Sequence, residues 1–97
     1  MRDLDALLTS LVNIDRHSLI AILTAEAEAA QRSVKAARQR TASQRAKQRQ
    51  AREHLPRVTR ILCFFQQGEI RPEMSARDIE LCRSVELRLD GPRRATS

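Results

Sequence analysis

The chain has 97 residues, with 18 Lys+Arg against 12 Asp+Glu, two Gly, three Pro, two Cys, two Phe and no Trp or Tyr. That length suits one domain and is too short for a dinucleotide-binding pair of halves or a (β/α)8 barrel, while the shortage of Gly and aromatic residues argues against a sandwich or a strand barrel. The expectation is an all-α chain, one helical domain over residues 1–92, with 93–97 as a frayed tail.

Residues 4–12 place Leu4, Leu7, Leu8, Leu11 and Val12 at spacings of three and four, one apolar face of a short helix that Asp3 can cap. The stripe halts at Asn13-Ile14-Asp15, where Asn13 or Asp15 can cap a second helix, Asp15 with Ser18 three positions on. The same N-terminal stretch carries Asp3, Asp5, Asn13, Asp15, Arg16 and His17, which break up the apolar run a secretory leader requires. The longest apolar run, Leu19 to Leu23, is far shorter than the roughly 18 residues of a membrane span.

From Leu23 a second stripe steps by four and three through Ala27, Ala30, Val34, Ala37, Thr41, Gln44, Gln48, Ala51, Leu55, Val58, Leu62 and Phe65. Such regularity is the heptad pattern of a helix lying along another helix, and these thirteen residues are the expected helix-pairing interface. The ends of the seam are aliphatic and its centre, Thr41 to Gln48, is polar. No Gly or Pro occurs before Pro56, so a long Arg/Ala-rich helix over about 16–53 is expected, about 55 Å at 1.5 Å per residue. A rod of that length needs a companion. Two chains pairing along it is the first expectation; the other is a helical hairpin folding back at Thr41-Ala-Ser-Gln44, which reads as a capping box.

Pro56 is expected to end or kink the helix near His54, with a further helix over about 57–67 closed by Gly68. After a connector, Ser75 with Asp78 resembles a capping box and Met74 with Ile79 a hydrophobic staple, opening a last helix over about 76–89 that Gly91-Pro92 ends.

The positive charge forms one block. Residues 1–28 hold two basic and five acidic side chains and residues 53–97 hold eight and seven, whereas residues 29–52 hold eight basic ones and no acid. Those eight are Arg32, Lys35, Arg38, Arg40, Arg45, Lys47, Arg49 and Arg52. Like charges one turn apart weaken a helix by a few tenths of a kcal/mol, so this stretch gives up support that mixed charges would supply. Arg dominates it, and the guanidinium fork suits bidentate contact with phosphate or carboxylate. The functional reading is a polyanion-binding surface for nucleic-acid backbone. The plainer one is a solvated face complemented by Asp15, Glu26 and Glu28 of the same or another chain.

Catalytic chemistry has little to build on. His17 and His54 stand apart in sequence, Glu26 with Glu28 and Asp78 with Glu80 point to different sides of a helix, and no phosphate loop occurs. Cys63 and Cys82 lack metal or redox spacing and read as small buried hydrophobes in a reducing cytoplasm. The expectation is a non-enzymatic protein without cofactor, metal or small-molecule substrate. It would be a self-associating regulatory or accessory protein that holds nucleic acid or, alternatively, an adaptor, chaperone or small subunit whose seam takes a helical partner protein.

Overall fold

A computed structural model describes residues 3–36 and 41–89. The described residues form four helices and no strand: α1 (Leu4–Ser10), α2 (Arg16–Lys35), α3 (Ala42–Gln67) and α4 (Ala76–Arg88).

α1 starts where Asp3 Oδ1 accepts hydrogen bonds from the backbone N–H of Asp5 (3.1 Å) and Ala6 (3.4 Å). It stops two residues short of the expected 4–12. Leu11 is already extended, and Asn13 takes the left-handed region (φ 54°), which turns the chain. The freed carbonyls at this end are taken by Arg88 of α4, which donates to Leu8 O (3.1 Å), Thr9 O (3.1 Å) and Leu11 O (2.7 Å). α2 is capped by Asp15, whose Oδ2 accepts from Ser18 N–H (3.3 Å) and whose Oδ1 accepts from the Ser18 hydroxyl (2.6 Å).

The expected continuous helix over 16–53 is two helices. α2 ends at Lys35, and α3 begins after Thr41, whose Oγ1 accepts from Gln44 N–H (3.1 Å) while Gln44 Oε1 accepts from Thr41 N–H (3.2 Å). Gln48 Nε2 donates to the terminal carbonyls of α2, Val34 O (3.0 Å) and Ala36 O (3.4 Å). Thr41, Gln44 and Gln48 have almost nothing apolar to bury, and their hydrogen bonds are worth more as caps at a fold-back than as the midsection of a rod.

The two aliphatic ends of the seam meet along the hairpin. Leu23, Ala30, Ala51, Val58 and Phe65 are buried, while Ala27, Val34, Leu55 and Leu62 are partly covered. Thr41 and Gln44 are exposed, Gln48 is partly covered, and Ala37 lies outside the described residues.

Pro56 neither ends α3 nor separates a helix over 57–67; it sits inside α3, on its solvent side. Proline removes one bond, to the Arg52 carbonyl, and an exposed carbonyl can take water, so the burial of Val58, Ile61, Phe64 and Phe65 beyond it holds the helix together. Gly68 closes α3 in the left-handed conformation (φ 76°), its N–H donating to Phe64 O at 2.7 Å.

The molecule measures 51 × 25 × 20 Å. Its main core gathers at the end where α1 and α4 cover the hairpin: Leu4, Leu8, Leu19, Leu23, Val58, Ile61, Phe64, Phe65, Met74, Cys82 and Val85. Toward the fold-back, among the described residues, only Ala30 and Ala51 are fully buried, since small side chains let two helices approach closely without a thick apolar layer. A broad base therefore carries a two-helix projection.

Candidate functional site

The projection bears the basic block. Arg32 and Lys35 lie in the last turn of α2, and Arg45, Lys47, Arg49 and Arg52 in the first three turns of α3; all six are exposed. Arg38 and Arg40 lie outside the described residues. None of the six side chains makes a hydrogen bond or ion pair among the described residues. Glu28 and Glu53 are each four residues from a block arginine, Arg32 and Arg49, yet neither closes an ion pair with it. Complementation by the N-terminal acids does not occur within the described residues either: Asp15 is bound to Ser18, and Glu26 faces His54.

Arginines at the base contrast with these. Arg57 of α3 donates to buried Asp78 of α4 through Nε (3.0 Å to Oδ1, 3.2 Å to Oδ2) and Nη2 (2.7 Å to Oδ1), and through Nη2 to Asp5 of α1. Arg77 Nε adds a bond to Asp5 Oδ2 (3.0 Å). These donors hold the Asp5 carboxyl below the ordinary carboxylate range, Arg57 first and then Arg77. The Asp78 hydrogen bond, with Asp5 behind it, raises Arg57 further above its usual value. Arg16 of α2 forks onto Glu86 of α4, Nη1 to Oε1 at 2.9 Å and Nη2 to Oε2, and Nη1 also donates to Phe65 O (3.4 Å). Arg16, Arg57 and Arg77 thus tie helices together at the base, whereas the described cations of the projection carry uncompensated charge.

Sequence pattern alone missed these ties. Asp78 reads as half of a capping box, and its N–H does donate to Ser75 Oγ (3.1 Å), but its carboxylate is committed to Arg57 across 21 positions of sequence. Nothing local marks that pairing.

Between base and projection, His54 Nε2 lies 3.7 Å from Glu26 Oε1, both side chains mostly covered. Burial pushes the imidazole below its usual value, with Glu26 acting in the opposite direction. His17 is exposed on α2, far along the chain from this contact.

Burial raises the Cys82 thiol to about 12, which leaves it an inert apolar filler at neutral pH. Cys63 is half-buried, with Arg71 Nη2 3.7 Å from its sulfur. Among the described residues no three His, Cys, Asp or Glu side chains converge as a metal site, and no helix is long and apolar enough to cross a membrane. The depressions on α4, lined by Ala76, Arg77, Ile79, Glu80 and Arg83, and on α1, lined by Asp3, Ala6, Leu7 and Ser10, are open to solvent. Compared with protein-family models, curated proteins and solved structures, the chain matches none.

Proposed function

We propose that this chain is a non-enzymatic cytoplasmic binding protein whose helical projection holds the phosphate backbone of a nucleic acid. One observation carries the reading: six exposed cations lie on the last turn of α2 and the first turns of α3, and none of their side chains is paired with an acid among the described residues, whereas Arg16 and Arg57 are tied to carboxylates. Self-repulsion there is a standing cost, which phosphate relieves while releasing its condensed counterions. Affinity then comes from charge and carries no sequence information. A reducing cytoplasm suits the two free thiols.

Self-association through the seam would require two copies to exchange arms, because Leu23, Ala30, Ala51, Val58 and Phe65 are buried within one hairpin. Capture of a foreign helix by the same seam would require the arms to part. Phosphate binding needs neither rearrangement.

The test is a fluorescence-anisotropy titration of a labelled oligonucleotide with wild type and with Arg45→Gln/Arg49→Gln/Arg52→Gln. Lys47 stands about 140–160° around α3 from Arg45, Arg49 and Arg52 and so faces away from them. The five remaining phosphate contacts on a duplex imply about a 500-fold loss of affinity between roughly 50 and 200 mM salt, and removing three of them lowers the logarithmic salt slope by about 2.7. Binding that the variant retains in full, with the same slope, overturns the proposal.

A further inference from the structure

We infer that the polyanion is double-helical, held by two parallel rows of cations that bridge the phosphates on either side of one groove. The inference rests on the phosphate-binding reading and goes beyond it in the form of nucleic acid.

The register of the hairpin sets the rows. Glu26 lies level with His54, and Val34 with Gln48, so the antiparallel arms bring Arg32 level with Arg49 and Lys35 close to the level of Arg45. At 100° per residue, Arg45, Arg49 and Arg52 stand about 140–180° around α3 from His54, and Arg32 and Lys35 about 120–180° around α2 from Glu26. His54 and Glu26 face each other on one side of the hairpin, and Arg57, about 60° from His54 on α3, reaches α1 and α4 from that side. Lys35, Arg45 and Arg52 therefore turn to the opposite, uncovered side, and Arg32 and Arg49, about 150–170° around their helices from the buried seam, flank it on the two outer edges of the hairpin. Along α3 they rise about 6 Å and then 4.5 Å, and the second row runs on an axis about 8–10 Å away.

Two rows of positive charge match two strands of phosphate. A single strand offers one row and needs its bases stacked on aromatic side chains, but this chain has no Trp or Tyr, and Phe64 and Phe65 are buried in the core. Insertion into a groove is also excluded by size. Two helices of about 10–12 Å each, side by side, exceed the roughly 12 Å width of a B-form major groove. The projection must lie across the groove, touching backbone on both sides and leaving the base edges unread.

The experiment measures binding of wild type and of Arg32→Gln/Lys35→Gln to three probes of mixed sequence, a DNA duplex and an RNA duplex of about 20 base pairs and a single-stranded DNA of the same length, at one low salt concentration. The expected result is at least about tenfold tighter binding to one or both duplexes than to the single strand, with the preferred duplex showing which helical form spans the rows. Removing the α2 row should weaken duplex binding about tenfold and lower its salt slope by about 1.8, while changing single-strand binding less than about threefold, because one row still serves one strand. Far-UV circular dichroism checks that the variant keeps its helices. Equal affinity for single strand and duplexes, or equal losses by the variant on all probes, overturns the two-row inference and leaves phosphate binding intact. Failure to bind any probe overturns both.

Discussion

Replacing Arg57 by Ala removes the group that joins α3 to α1 and α4. Asp78 is only 5% exposed, and Arg57 supplies all three side-chain hydrogen bonds its carboxylate receives. Stripping the partner from a buried carboxylate costs about 3–5 kcal/mol, and the lower figure applies because Arg57 sits near the surface and water can enter the gap it leaves. For a chain of this size each kcal/mol moves the melting temperature about 4–8 °C, so a fall of about 12–24 °C is expected. Thermal unfolding followed by circular dichroism reads it. Asp78→Ala in the Arg57→Ala background should recover part of the loss, since it removes the stranded charge. A drop below about 1 kcal/mol, or strict additivity of the two substitutions, would refute the claim that this pair ties the base together.

Other consequences follow from the same geometry. Thr41→Ala and Gln48→Ala each remove a capping interaction at the fold-back and should cost about 1 kcal/mol in denaturant melts, with Thr41→Ala also weakening the start of α3. The folded His54 pKa lies below its ordinary 6.5, so the neutral imidazole contributes stability that is complete above that value and lost as pH falls through the folded pKa; His54→Gln should flatten stability across this acidic window. Asp5, likewise depressed from 3.8, contributes stability that is present above 3.8 and lost as pH falls through its lower folded pKa, and Arg57→Ala should shrink that loss. Cys82, fully covered and with its thiol raised to about 12, should react with a maleimide only on unfolding, whereas half-buried Cys63 should react in the native state.

Much of this fold is legible in the residues because its boundaries are written by side chains close in sequence. Asp3, Asp15, Thr41 and Ser75 all cap the helices that follow them, and Gly68 ends α3 in the conformation glycine favours. The choice between rod and hairpin is harder to read. The stripe from Leu23 to Phe65 keeps its phase through the fold-back, and the turn is made with neither Gly nor Pro, so periodicity treats both shapes alike. What decides is that Gln48 can cap α2 only if the chain returns, a tertiary contact. Pro56 misleads for a related reason, since the cost of one lost bond is local while the burial of Val58 to Phe65 that offsets it depends on α1 and α4 being present. The basic block is visible in the sequence as composition, but its lack of compensating acids is a property of the fold, because only there do Asp15 and Glu26 find other partners.

Among the described residues the large exposed apolar side chains, Val12, Ile70 and Leu87, lie in other parts of the molecule. Leu87 on α4 is 87% exposed and Val12 after α1 67% exposed, both toward the base. A ligand that chose those residues would be recognised by burial and would leave the projection untouched.

Backbone amide chemical-shift mapping during titration with a short duplex therefore bears most directly on where the ligand sits. Salt-sensitive perturbations should centre on Arg32, Lys35, Arg45, Arg49 and Arg52 and fade toward α1 and α4. Shifts concentrated around Val12 and Leu87, or none at saturating duplex, would contradict the account.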